Sequence, residues 1–284
     1  MIEPFGVRLR AALDEHGPRC VGIDPHAALL EAWGLTQDAD GLREFGLRTV
    51  EAAAGRVAVV KPQVAFFERF GSRGFAALEE VLAAARAAGL LVLSDAKRGD
   101  IGSTMAGYAA AWLEAGAPLE SDAVTLSPYL GPDSLADALR TAIANGKGVF
   151  VLAATSNPDG EVVQRATTDG EPVARGVARS IAAVDTGRDG LGSLGLVLGA
   201  TVDRERFGLD DDALSGLPLL APGFGAQGAS PADLVARFGA VAGQVLASES
   251  RSILSEGSAD AEGTARLGAH IARRAAEYRE ALHG

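Results

Sequence analysis

Eight short apolar runs recur along the chain, and the segments between them carry apolar residues at helical spacing. The runs cover 20–23, 57–60, 91–93, 123–126, 149–153, 194–198, 217–220 and 252–254. Between them, sets such as Leu42, Phe45, Val50 and Ala53, or Phe75, Leu78, Leu82 and Ala85, mark one face of a helix. A further amphipathic segment over 5–13 precedes the first run. Strands that are apolar throughout and separated by helices belong to a parallel α/β sheet. Closing that sheet as a (β/α)8 TIM barrel uses all eight strands and leaves no edge exposed, in a fold that ordinarily takes about 250 residues. An open doubly wound sheet is the structural alternative. No linker rich in Pro, Gly or Ser divides the chain, so 1–284 reads as one barrel domain with a short helix before its first strand. The longest irregular stretch, 157–172, contains two Asp-Gly pairs that suit turns flanking a small hairpin, either a lid or a surface excursion.

Charge narrows the partners. A formal net charge of −11 argues against a general nucleic-acid or anionic-membrane binder, because both need a basic face. A local cationic pocket for an anionic small molecule remains compatible with it. The single cysteine, Cys20, excludes an intrachain disulfide and fits a reducing cytoplasm, and its place in an apolar run makes it a core residue. No run has the length of a membrane span, and the N-terminal residues lack the apolar core of a secretion signal. A cytoplasmic protein is therefore expected. The histidines, His16, His26, His270 and His283, have no metal-ligand spacing, and no redox or carbonyl cofactor motif is present.

Catalytic groups of such a barrel sit at the C-terminal ends of its strands. Polar residues fall there strand after strand: Asp24, Lys61, Asp95 with Lys97, Ser156, Gln227 and Arg251. The densest is the stretch LVLSDAKRGDIGST over 91–104, where Asp95, Lys97 and Asp100 follow a buried-type strand directly. If the strand continues to Lys97, its period of two turns Asp95 and Lys97 to one face. Gly99 and Gly102 then allow a turn, and Ser103 or Thr104 can cap the next helix. Lys97 lies between two carboxylates, which favour the charged ammonium, whereas a Schiff-base lysine needs a depressed pKa. Lys97 thus reads as a cation and proton donor, suited to stabilising and protonating a carbanion left by loss of CO₂. Gly223–Gly228, after the seventh strand, can offer backbone N–H groups to a phosphate, with Gln227 adding a donor and Arg251 a bidentate fork.

These residues together resemble the orotidine 5′-phosphate decarboxylase family, and its bacterial type 2 subfamily in particular. The D-x-K-x-x-D signature is matched by Asp95, Lys97 and Asp100, the first-strand Asp by Asp24 and the second-strand Lys by Lys61. LAATSNP resembles the segment whose serine, here Ser156, contacts the pyrimidine. PGFGAQG resembles the phosphate loop, with Gln227 and Gly228, and ESRSIL resembles the phosphate-arginine segment, with Arg251. The resemblance spans nearly the whole chain. It implies decarboxylation of orotidine 5′-phosphate to UMP in pyrimidine biosynthesis, without cofactor or metal. It implies a Lys61–Asp95–Lys97–Asp100 array with Lys97 as proton donor. It also implies a homodimer in which Asp100, Ile101 and Thr104 reach the neighbouring subunit's site. Ala229 departs from the pattern, since a second glycine commonly follows the Gln-Gly pair. Rival readings are a metal-dependent sugar-phosphate decarboxylase or epimerase of the same superfamily, a Schiff-base aldolase and a non-catalytic nucleotide-binding barrel. The metal-dependent enzymes carry a carboxylate after strand two, where Lys61 stands here.

Overall fold

Eight parallel strands close on themselves: β1 Arg19–Ile23, β2 Val59–Pro62, β3 Leu91–Arg98, β4 Ala123–Leu126, β5 Gly148–Ala154, β6 Leu194–Leu198, β7 Leu219–Pro222 and β8 Val245–Glu249. The structure, a computed structural model, describes residues 2–185 and 190–283. Each strand pairs with the next along the chain, and β8 returns to β1 with Cys20 opposite Ser248, so the open-sheet alternative is set aside. Helices cover the outside, among them Ala39–Ala53, Gly71–Ala87 and the closing Ala261–His283.

The strand period sorts side chains into two cores. On β3, Leu91 and Leu93 point into the barrel while Val92 faces the helices. Val59 and Val60 on β2, and Phe150 and Val151 on β5, divide the same way. The lower end of the interior is plugged by helix Phe5–His16. Phe5, Leu9 and Leu13, at the i, i+4 spacing of one helical face, join the inward residues, and Phe5 meets Phe150 edge-on at 6.1 Å between ring centroids.

Several expectations need correction. The eighth strand is Val245–Glu249, not 252–254; the latter residues lie in a helical turn, Arg251–Leu254. The apolar pair Ile253 and Leu254 is buried, but in the helix-facing core. The strand itself was disguised by its polar end, where Ser248 and Glu249 are buried. The seventh strand lies two residues later than expected. Helical spacing of Leu234, Phe238 and Val241 suggests one helix, but the helix Asp233–Phe238 stops at Phe238, and Val241 belongs to a 3-10 segment, Gly239–Gln244. Neither Ser103 nor Thr104 caps the helix Gly102–Leu113; its N-cap position is Ile101, without a side-chain cap bond. Only the second Asp-Gly pair turns a hairpin, between Thr167–Thr168 and Glu171–Pro172, whereas the first lies in a 3-10 turn. Among the described residues no helix is long and apolar enough to cross a membrane.

Candidate active site

Climbing the inward-facing rows leads from apolar to polar side chains. Leu93 is followed by Asp95 on β3, Val59 by Lys61 on β2, Ala123 by Thr125 on β4 and Leu246 by Ser248 on β8. Of these, Asp95, Lys61 and Ser248 open into a cavity of about 360 Å³ at the C-terminal end of the barrel, above an apolar floor of Leu152, Val197 and Leu220. Asp24, Lys61, Asp95, Lys97, Ser156, Gln227 and Arg251 all line it. Asp100, Ile101, Thr104 and Gly228 are not among its lining residues.

Asp95 is the hub. Lys61 Nζ lies 3.0 Å from Oδ2, and Lys97 Nζ lies 2.5 Å from Oδ1. Thr125 Oγ1 donates to Oδ1 at 2.9 Å and accepts the Lys97 backbone N–H at 2.9 Å. Lys61 and Asp95 are buried, whereas the Lys97 side chain is 44% exposed and faces the opening. Burial alone would raise the pKa of Asp95, but the two ammonium groups override it and hold the carboxyl well below the usual carboxylate range. Burial alone would lower that of Lys61, but Asp95 and Asp24 hold it above the ordinary lysine range. At neutral pH the pair is therefore charged, and Lys61 lacks the neutral amine that Schiff-base chemistry needs.

Lys97 reaches Asp95 by a route the strand period does not supply. It is one of two non-glycine residues with positive φ among the described residues, at +47°, and the β3–β4 register shifts between Ser94 and Arg98. A non-glycine residue held in the left-handed region is strained by about 1–3 kcal/mol. The hydrogen bond from its N–H to Thr125 is one of the contacts that hold it there.

The other end of the cavity is built differently. The turn after β7 is closed from within: Gly225 N–H donates to the Ala229 carbonyl at 2.7 Å, Ala229 N–H to Gly223 at 3.1 Å and Gly228 N–H to Gly225 at 2.9 Å. Gly228 thus spends its donor inside the turn rather than offering it to the cavity. Gly225 has φ +71°, and a Cβ there would fall 2.5 Å from Glu249 Oε1, so only glycine fits. Ala229 is 2% exposed and its methyl group packs into the core, which accounts for alanine at a position where the resemblance leads one to expect glycine. Arg251 opens the short helix after β8 and lines the cavity beside Gln227. Beneath them Glu249 is buried against Arg19 at 3.2 Å and Arg274 at 3.1 Å, and it accepts from Ser252 Oγ at 2.6 Å.

Asp24 Oδ1 is buried with no hydrogen-bond partner among the described residues, so it can accept from a ligand hydroxyl. Asp100 turns its carboxylate to its neighbour, accepting the Ile101 N–H at 2.8 Å. Sequence reasoning missed Thr125, which two-residue counting from Ala123 would have found, and Arg19 and Glu249, whose pairing spans 230 residues and leaves no local signal.

Comparison with known proteins decides the family. The model of the orotidine 5′-phosphate decarboxylase / HUMPS family matches residues 17–266. The chain belongs to this family. The Streptomyces coelicolor orotidine 5′-phosphate decarboxylase is 56% identical over 258 residues, 90% of this chain and 91% of that one. The Salinispora arenicola orotidine 5′-phosphate decarboxylase is 54% identical over the full 284 residues of both. Among solved structures, a Streptomyces avermitilis protein superposes with a TM-score of 0.93 at 52% identity, covering 99% of this chain and 97% of its own. Leishmania donovani OMP decarboxylase superposes at 0.75 with 30% identity, covering 98% and 99%. The chain is accordingly an enzyme of the carboxy-lyase class. Asp95 and Lys97 of the D-x-K-x-x-D segment meet the β2 lysine, Lys61, in the cavity at the C-terminal end of the barrel.

Proposed function

We propose that the chain decarboxylates orotidine 5′-phosphate to UMP without a cofactor, in the cytoplasm. The observation that carries this reading is the ionised Asp95, held between Lys61 and Lys97 at the mouth of a barrel of this family. Loss of CO₂ leaves an electron pair on the ring carbon that bore the carboxylate. The half-exposed Lys97 ammonium, tethered at 2.5 Å to Asp95, is the group free to stabilise that carbanion and then deliver a proton to it. The buried Lys61 neutralises Asp95, and the polar cavity wall supplies fixed charges in place of water. Ser156 contacts the pyrimidine, Asp24 accepts from the ribose, and Gln227 with Arg251 holds the phosphate, whose remote binding energy helps organise the reacting centre.

The array is completed by a second copy of the chain, which brings Asp100, Ile101 and Thr104 to this site in a two-fold homodimer. Asp100 is half-buried just beyond β3, and the apolar Ile101, Tyr129 and Leu130 beside it in the sequence or on the next loop are 61%, 81% and 54% exposed. An apolar surface of that kind favours coverage by another copy.

The deciding experiment is loss of orotidine 5′-phosphate absorbance on adding the purified protein, with and without EDTA. Turnover unaffected by EDTA is expected; no turnover, or turnover abolished by EDTA, defeats the reading. The shared site has its own test. Lys97→Ala and Asp100→Ala, each nearly inactive alone, should recover roughly a quarter of wild-type activity per site when co-assembled in equal amounts, given random two-fold pairing. Mixed dimers as inactive as their parents would mean that Asp100 serves its own chain.

A further inference from the structure

Ser156 stands on a turn that has no regular structure of its own, immediately after β5 ends at Ala154. What fixes that turn is a side chain arriving from the excursion that follows. Gln164 ends the four-residue helix Glu161–Gln164 and folds back onto Thr155 with both ends of its amide. Its Oε1 accepts the Thr155 backbone N–H at 3.0 Å, and its Nε2 donates to Thr155 Oγ1 at 2.8 Å. Thr155 Oγ1 in turn donates to Asn157 Oδ1 at 2.6 Å. Both neighbours of Ser156 are thus tied into one chain of bonds that begins at Gln164.

A second observation marks this cluster as built. Gly160 has an ordinary negative φ of −67°, so its backbone does not require glycine. Its missing side chain does: a Cβ there would lie 2.9 Å from Thr155 Oγ1, 3.1 Å from Gln164 Nε2 and 3.2 Å from Asn157 Oδ1. The glycine leaves room for the three polar groups to meet. The excursion itself is braced from outside. Glu161 pairs with Arg165 at 3.0 Å and with Arg206 at 3.4 Å, and the Val173 N–H donates to the Ala166 carbonyl at 2.8 Å. On the far side, Gly199 at the end of β6 leaves room for Ser156: a Cβ there would lie 3.2 Å from the Ser156 nitrogen.

We infer that Gln164 is a positioning residue of the active site, acting through Ser156. The segment over 157–172 then braces the base-binding side of the cavity, and its amide clamp sets where the Ser156 side chain stands relative to the ring. This rests on the decarboxylase reading, in which Ser156 meets the pyrimidine. Small misplacements of a positioning group cost turnover out of proportion to the bonds lost, up to about a hundredfold for an ångström.

The test is a double-mutant cycle on kcat/KM for orotidine 5′-phosphate, with Gln164→Ala, Ser156→Ala and the double variant, each checked for an unchanged thermal midpoint. Gln164→Ala is expected to lose about 10- to 100-fold. In the Ser156→Ala background the same change is expected to cost less than about threefold, because the group it positions is gone. Gln164→Met, which keeps the length and loses both hydrogen bonds, should behave as Gln164→Ala does. Equal losses in both backgrounds, or a Gln164→Met variant as active as wild type, overturn the inference. If wild type itself does not turn over orotidine 5′-phosphate, the decarboxylase reading fails and this inference fails with it. If wild type is active and Gln164→Ala stays within twofold, only the inference fails.

Discussion

The lower and upper halves of the barrel interior are built from the same strands by the same alternation, yet they do opposite things. Below, Phe5, Leu9, Leu13, Phe150 and Leu91 make an apolar plug. Each such side chain contributes about 1.5–3 kcal/mol by leaving water. Above, Lys61, Asp95 and Thr125 occupy equivalent inward positions one repeat further along, buried but fully partnered. Placing charge there costs desolvation that the pairing only partly returns. The comparison teaches that the interior is partitioned along its axis: apolar burial is concentrated where the N-terminal helix seals it, and paired charge where the strands run out.

The sharpest way to break this partition is at its two extremes. Lys97→Ala removes the exposed cation of the upper half and should lower turnover by about 10²–10⁴-fold. The thermal midpoint should stay near wild type, because the side chain is half in solvent. Steady-state kinetics alongside a melting curve checks both; near wild-type turnover would remove Lys97 from the mechanism.

Asp95→Ala lies on the boundary and should fail in both respects. It leaves Lys61 buried without its main partner, a cost of about 3–5 kcal/mol, and it also disconnects Lys97. The pH dependence has a defined sign. The folded pKa of Asp95 lies below its ordinary value of 3.8, so its contribution is fully present above that pH and is lost as pH falls through the folded value. Urea unfolding of wild type and variant should differ most at neutral pH and converge in acid.

Phe5→Ala is the complementary change. It empties a 1% exposed site in the plug and should cost about 3–5 kcal/mol of stability. The kcat of the folded fraction should stay within about twofold, because the plug lies at the opposite end from the cavity. A large loss of kcat at full folding would mean that the two halves are coupled.

Cys20→Ala gives the smallest effect and probes the plug through pH. Burial pushes the Cys20 thiol from 9.0 up to about 12, with Lys61 and Ser248 pulling only partly the other way. A raised folded pKa means that the unfolded chain loses its proton first, so this stability is present below pH 9 and is lost as pH rises toward 12. Wild type should therefore lose about 1 kcal/mol more than Cys20→Ala between about pH 9 and 10, read from urea midpoints. Parallel losses would show that the thiol ionises freely in the fold.

Most of the architecture was legible in one dimension because it rests on local periodicity. Buried strands read as continuous apolar runs, and the helix faces read at 3.6-residue spacing. The exception, β8, failed for a physical reason: Ser248 and Glu249 are buried polar residues, and the partners of Glu249, Arg19 and Arg274, come from distant segments, so the strand did not look buried. The cavity's charged residues were legible because charges at the ends of apolar strands are costly unless used. Thr125, Gln164 and the Glu249 cluster were not, since a threonine, a glutamine or an Arg-Glu pair carries no signal until the chain brings its partner close.

The amino-acid sequence by itself determined seven of the eight barrel strands in order, the family, and seven of the side chains that line the cavity, Asp24, Lys61, Asp95, Lys97, Ser156, Gln227 and Arg251. Those follow from residue type and spacing, which are local. Tertiary structure alone decided that Lys97 reaches Asp95 through a left-handed residue pinned by Thr125 rather than by extended strand geometry. It alone decided that the Gly228 donor is spent inside its own turn, and that Gln164 returns to hold Thr155 beside Ser156. Each of these depends on hydrogen bonds between groups that only the closed fold brings together, and their directions follow from the positions of both partners at once.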